Sequence, residues 1–232
     1  MKRIILFSLV FTILLCAICS CGKNNNMEEF WEFYNGKLDT FEKENEEYKS
    51  VDVDVVFLGD SLTDGYDVKR FYPEYVVLNR GIGGDTTVWL EERLDVSLFE
   101  VQPKVAVMLI GANNMDTMLE NYESILKSFK ENLPNTKIVL LSLTSMSGEW
   151  GKKNQLAAYN NVQIKMYAEM YGYEYVDLYS ALLNLETGEI YDEYTTDGGH
   201  LTEKGYEVLT SKIKPAIEKQ LETWRNDNKN LP

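Results

Sequence analysis

The sequence predicts an α/β domain built on a five-stranded parallel sheet, and three observations carry that prediction. From Val51 onward, short apolar runs rich in β-branched residues alternate with longer stretches in which apolar residues recur at helical spacing, which is how a parallel sheet covered by helices is written. The chain has 232 residues, 44% of them hydrophobic, too many for a disordered polymer and enough for a core. No repeat and no second domain appears, so a single domain over residues 51–225 accounts for the pattern.

The first segment stands outside that domain. Lys2 and Arg3 precede an apolar run from Ile4 to Ile18 that is broken only by Ser8, Thr12 and Cys16, shorter than the roughly 20 residues of a bilayer-spanning helix. Residues 1–20 therefore read as a signal peptide. All three cysteines lie at its end, and Ile18-Cys19-Ser20-Cys21-Gly22 resembles a bacterial lipobox, which would make Cys21 the lipidated first residue of the mature chain. A redox pair of Cys16 and Cys19 is set aside, because both sit in a segment that is discarded. The expected location is the bacterial cell envelope, outside the cytoplasm, anchored in the membrane through this lipid and a short linker, residues 21–26. With no second mature cysteine, no disulfide staples the domain.

Residues 27–50 come next as an amphipathic helix. Met27, Phe30, Trp31 and Tyr34 fall at i, i+3, i+4 and i+7, with Asn26 placed to cap and Glu29 to answer it. The opposite face is acidic, so packing on the domain is favoured over contact with lipid. Strands follow at Val53–Leu58, Val76–Asn79, Val105–Ile110, Ile138–Leu143 and Glu174–Leu178. Helices fill the gaps at about Thr86–Leu98, Asn121–Asn132, Gln155–Met170 and Glu203–Leu221. The last carries Tyr206, Leu209, Ile213, Ala216 and Ile217 on one side. Met166 and Met170 share a helical stripe with Leu156 and Tyr159, which reads as core packing.

Composition removes several functions. There are 37 acidic against 23 basic residues, a net charge of −14 and an isoelectric point near 4.6, whereas nucleic-acid binding relies on clustered Lys and Arg that release counterions. Loss of residues 1–20 removes Lys2 and Arg3 and no acid, so the mature chain is more acidic still and repels strongly anionic ligands. His200 is the only histidine, which excludes a metal held by paired histidines within one chain. No metal and no cofactor is expected.

In open α/β sheets, ligands lie beyond the carboxyl ends of the strands. Four loops there are unusual: Gly59-Asp60-Ser61-Leu62 after the first strand, Asn79-Arg80-Gly81-Ile82-Gly83-Gly84-Asp85-Thr86-Thr87 after the second, Gly111-Ala112-Asn113-Asn114 after the third, and Asp197-Gly198-Gly199-His200 before the last helix. A serine hydroxyl becomes a nucleophile when a base takes its proton and a third group orients that base. Ser61, His200 and Asp197 supply those roles. The backbone N–H groups of Ser61 and Gly84, with the Asn113 amide, supply three donors for an oxyanion hole. Each motif alone has a structural explanation, as a turn, a chain reversal or a helix cap. Their conjunction at one sheet edge, with the sole histidine, favours an active hydrolase. That histidine makes a single titrating group the expected control on the acidic limb of activity.

Together these motifs resemble the SGNH hydrolases, or GDSL esterase/lipase family, from about Val53 to the last helix. Gly59-Asp60-Ser61-Leu62 is similar to the first block, Gly84 to the second-block glycine, Asn113 to the third-block asparagine, and Asp197 with His200 to the last. The resemblance implies a flavodoxin-like three-layer fold and a carboxylic ester hydrolase working through an acyl-enzyme. Residues 79–87 resemble the branch with platelet-activating-factor acetylhydrolase-like members, where short acyl groups are common. Asn114 stands where the third block usually has aspartate, which removes a carboxylate but leaves Asn113 in place.

Other folds fail on the same residues. Thr86 breaks a Gly-x-Gly-x-x-Gly fingerprint counted from Gly81, and Thr63 breaks the Gly-x-Ser-x-Gly elbow of α/β-hydrolases. Ser124–Lys127 and Ser211–Lys214 match Ser-x-x-Lys by accident on amphipathic helices. The functional alternatives are a carbohydrate O-acetyltransferase with the same triad and a non-catalytic glycan-binding lipoprotein. Trp150, Tyr191 and Tyr194 are the candidates for the substrate cleft, which would take an O-acetylated glycan or a lysophospholipid.

Overall fold

Strands that are apolar at nearly every position have two faces to bury, and β1 (Val55–Gly59), β3 (Val105–Leu109) and β4 (Lys137–Leu141) of this chain are of that kind. The computed structural model describes residues 27–229; the expected signal peptide, Cys21 and linker lie outside the described residues. The strands are β1 (Val55–Gly59), β2 (Val77–Gly81), β3 (Val105–Leu109), β4 (Lys137–Leu141) and β5 (Glu174–Val176). They pair in parallel in the order β2-β1-β3-β4-β5, the five-stranded α/β sheet that the sequence predicts.

Residue parity sorts the core into two halves, because successive side chains on a strand point to opposite faces. Val56, Leu58, Leu78, Ala106, Met108, Ile138 and Leu140 belong to one buried cluster. Val55, Phe57, Val77, Val105, Val107, Leu109, Val139 and Leu141 belong to the other. Helices cover both clusters, giving three layers. The helices are α1 (residues 27–48), α2 (Ser61–Asp64), α3 (Val68–Phe71), α4 (Thr87–Glu92), α5 (Met118–Asn132), α6 (Gly148–Gly151), α7 (Asn154–Tyr171), α8 (Tyr179–Leu182) and α9 (Glu203–Asn228). The first cluster takes its helical residues from α4, α5 and α7, the second from α2, α3, α8 and α9. A two-stranded hairpin, β6 (Leu183–Asn184) with β7 (Glu189–Ile190), precedes a short 3-10 turn at Asp192–Tyr194. Among the described residues, no helix is long and apolar enough to cross a membrane.

The chain divides into two compact units, one ending at Thr40 and one beginning at Phe41. Within the first, the rings of Phe30, Trp31 and Tyr34 meet one another at centroid distances of 5.3 to 5.9 Å, and the contacts of Tyr34 with Phe30 and Trp31 follow from spacings of four and three.

Three expectations need correction. The helix expected over Thr86–Leu98 is α4 followed by a π-helical turn at Asp95–Phe99. The last helix runs on past Leu221 to Asn228, so the domain extends beyond residue 225. The third concerns α7. Tyr159, Met166 and Met170 are 59%, 52% and 68% exposed, and Val162 beside them is 57% exposed. The buried face is instead Ala157, Asn160, Asn161, Ile164 and Ala168. Asn161 explains the choice: its Oδ1 accepts from Leu143 N–H at 2.7 Å and its Nδ2 donates to Leu143 C=O at 3.1 Å. Asn160 Nδ2 likewise donates to Met115 C=O at 2.9 Å. Buried irregular backbone must find such partners, and here the inner face of α7 supplies them.

Candidate active site

The nucleophile candidate follows directly from strand geometry. β1 ends at Gly59, and the buried Asp60 caps α2 by accepting from Leu62 N–H at 3.1 Å. This places Ser61 at the first turn of a helix on the carboxyl edge of the sheet. Tyr206 Oη donates to Leu62 C=O at 2.9 Å, tying that turn to α9. The base candidate arrives from the other end of the sequence. Thr202 caps α9 by accepting from Gly205 N–H at 3.2 Å, so the loop just before it, with Asp197 and His200, is held at the same edge.

Ser61 and His200 are 139 residues apart, yet Ser61 Oγ lies 3.0 Å from His200 Nε2. His200 Nδ1 lies 2.7 Å from Asp197 Oδ2. Asp197 Oδ1 accepts from the backbone N–H groups of His200 at 2.7 Å and Gly199 at 2.9 Å. These bonds, that of His200 N–H first, pull the Asp197 carboxyl down to about 2, so it is an anion at any working pH. The side chains of Asp197 and His200 are about half exposed.

Asp60 behaves in the opposite way. It is 1% exposed, and burial pushes its carboxyl up to about 7, against the pull of the Leu62 N–H. Burial thus favours the protonated form of Asp60, a carboxyl next to Ser61 that sequence reasoning does not single out.

Asn113 lines the cleft with Ser61 and His200, and its Nδ2 donates to the Asp85 carbonyl at 2.8 Å. That bond brings the loop after β3 against the loop that carries Gly84. Gly84 is exposed, with φ of 81°, a conformation that costs a side chain-bearing residue energy. Asn114 is occupied elsewhere: its amide donates to Thr87 Oγ1 at 2.9 Å and its carbonyl oxygen accepts from Thr87 N–H at 3.3 Å. Thus the residue replacing the usual aspartate anchors the loop to α4.

Beside Ser61, the walls Leu62, Ala112, Met146 and Trp150 enclose about 20 Å³, space for about one ordered water. Trp150 closes one side. Its indole lies where a Cβ on Gly199 would approach within 2.9 Å, and its ring meets that of His200 edge-on at 6.3 Å. Tyr191 and Tyr194 are not among the residues lining this slot. They pair with each other at 5.4 Å, and Tyr194 packs on the core beneath Lys204. A larger concavity of about 700 Å³, near Tyr48, Val53, Lys104 and Trp224, lies by the residues entering β1 and β3. It is therefore at the amino edge of the sheet, away from Ser61 and His200.

Two charged residues that sequence reasoning did not single out sit under the site. Arg93 and Asp85 form a buried ion pair at 2.7 Å. Their separation of eight residues across a turn and a short helix follows no periodicity that would have revealed it.

A family model described as GDSL-like lipase/acylhydrolase matches residues 57–208. No curated protein matches the chain significantly. Among solved structures, one from Streptococcus pneumonia assigned as a platelet activating factor is 26% identical, covers 85% of this chain and 99% of its own, and superposes with a TM-score of 0.70. One from Bacteroides fragilis assigned as an acylhydrolase is 27% identical over 78% of this chain and 95% of its own, with a TM-score of 0.69. An acetylxylan esterase from Geobacillus stearothermophilus shares the fold at 20% identity, over 71% of this chain and 94% of its own, with a TM-score of 0.60.

Proposed function

The chain belongs to the GDSL-like lipase/acylhydrolase family and is a carboxylic ester hydrolase, and from that premise we propose that it cleaves short acyl esters, O-acetyl groups on carbohydrate above all, with Ser61, His200 and Asp197 as its triad. The observation that carries the reading is the unbroken chain of contacts from Ser61 Oγ through His200 to Asp197. With a proton on Nδ1 facing the Asp197 anion, Nε2 is left free to accept the Ser61 proton. Oγ then attacks the ester carbonyl, and the negative oxygen is received by the N–H groups of Ser61 and Gly84 and by Asn113 Nδ2. His200 returns its proton to the departing alcohol, and water repeats the sequence to release the acid.

Slot size supports the short acyl group. The narrow slot beside the nucleophile, with about 20 Å³ of space, favours a short acyl group over a long chain, and Trp150 is one of its walls. The acidic chain disfavours anionic substrates, and the Geobacillus fold neighbour acts on acetylated xylan, so neutral acetylated glycan is favoured over lysophospholipid. Once the alcohol has left, the acyl group on Ser61 passes to water, or, in a transferase, to a sugar hydroxyl.

A panel of chromogenic esters of rising acyl length, followed by acetylated oligosaccharides, tests this. Activity should fall steeply beyond the acetyl and propionyl esters, and a fluorophosphonate should label wild type but not Ser61→Ala. Labelling at another serine, or a preference for long chains, would overturn the reading. Transfer of acetyl to an added sugar in preference to water would reassign the enzyme as an O-acetyltransferase. For location, the lipobox-like residues 18–22 support an envelope lipoprotein anchored through Cys21. Cys21→Ser should move the protein from the membrane fraction to the soluble one, and an unchanged fraction would argue against the lipid.

A further inference from the structure

We propose that Arg93 is a positioning residue for the esterase reaction, its buried guanidinium fixing the nucleophile's strand end and the oxyanion-donor loops in one arrangement; this rests on the reading of Ser61, Gly84 and Asn113 given above. Arg93 is 3% exposed. Its Nε and Nη2 donate to Asp85 Oδ2 at 2.9 and 2.7 Å, and its Nη1 donates to Ser97 Oγ at 2.7 Å. Nη2 also donates to the Gly59 carbonyl at 3.2 Å. Gly59 is the last residue of β1, two before Ser61, and its carbonyl also accepts from Ile82 N–H at 3.1 Å.

The second arm runs through Asp85. Its Oδ1 accepts from Thr86 N–H at 2.9 Å, and its backbone carbonyl accepts from Asn113 Nδ2 at 2.8 Å. An amide Nδ2 carries two hydrogens. With one directed at Asp85, the direction of the other is set, and it is the other that meets the oxyanion. Asp85 also follows Gly84 directly, so the same anchor limits where the Gly84 N–H can point. One cation thereby joins three segments: the end of β1, the loop after β2 and, through Asp85, the loop after β3.

Stability alone does not account for this pair. Desolvating two charges costs about as much as their attraction returns, and apolar residues of similar volume often serve a fold equally well. What apolar residues lack is the planar fork that fixes several acceptors in direction. Catalysis needs that direction, because small displacements of donors cost far more rate than binding.

The test uses two variants. Arg93→Lys keeps a cation for Asp85 but has no fork to reach Gly59 and Ser97. Asp85→Leu/Arg93→Met removes the pair without stranding a charge. Both should keep a native near-ultraviolet circular dichroism spectrum, lose kcat by roughly 10-fold to 100-fold, and show nearly unchanged KM. Wild-type kcat in either folded variant would overturn the proposal, as would a loss that merely follows the folded fraction, or a raised KM at constant kcat, which would mean a role in substrate binding instead. Should one variant fail to fold, the other decides. The Ser61→Ala control separates the two readings: if it stays active the triad falls, whereas an inactive Ser61→Ala beside a fully active Arg93→Lys removes only the role of Arg93.

Discussion

Two carboxyls near one histidine are driven apart by their surroundings, and both shifts have signs that experiment can read. Asp197 is held down to about 2 by backbone N–H groups, so its contribution to stability is present above the ordinary carboxylate range and fades as pH falls from about 4 toward 2. Asp60 is held up at about 7 by burial. The folded state prefers it protonated, so its penalty is absent below about pH 4, grows as pH rises toward 7, and then levels off at about 4 kcal/mol in order of magnitude. Asp60→Asn should therefore melt near wild type at pH 4 and gain on it steadily up to pH 7. Parallel melting curves for the two proteins across that range would contradict the shift. If Asn113 is the oxyanion donor proposed above, Asn113→Ala should lower kcat by roughly 10² to 10³ with KM little changed, since such an amide is needed when charge develops on the oxygen; a raised KM at constant kcat would make it a substrate-binding group instead. That Ser61, His200 and Asp197 meet at one sheet edge was legible, because strand position brings their loops together. The shift of Asp60 was not, because it depends on burial, which a Gly-Asp-Ser turn does not announce.

At the scale of elements, α7 shows what periodicity can and cannot say. The stripe of Leu156, Tyr159, Met166 and Met170 has true helical spacing, but spacing alone does not state which side faces inward. Polar demand from the backbone decided it: the irregular stretch after β4 needs Asn161, so the amides turned inward and the methionines outward. Asn161→Leu should accordingly destabilise the protein by about 2 kcal/mol, as the N–H and C=O of Leu143 lose their partner in a buried setting; a thermal melt unchanged or raised would show that another group can replace it. The main strands were legible to within two residues at their ends, since β1, β3 and β4 are continuous apolar runs and β2 and β5 begin or end in one. Helices α2, α3, α6 and α8 have four residues each, too few to generate a period, and were not anticipated.

For the whole molecule, the order of motifs along the chain foretold one shared edge, because a parallel sheet brings every strand's carboxyl end to the same side. The buried cation beneath that edge could not be foreseen, since Asp85 and Arg93 meet only after the turn between them has formed. The 139-residue separation of Ser61 and His200 also bears on how the enzyme regains activity after denaturation. The proposed nucleophile follows the first strand and its proposed base precedes the last helix, so no partial assembly of strands can contain both. Non-local pairing of this kind is slow, because loop closure must precede the contacts that compensate for it. When denaturant is diluted away, helical signal should return ahead of hydrolysis, and hydrolysis should coincide with the return of tertiary signal from the docked C-terminal helix. Esterase turnover thus serves as a clock for the final step of chain assembly, and activity that recovered together with the earliest secondary structure would show that the two ends meet sooner than the topology implies.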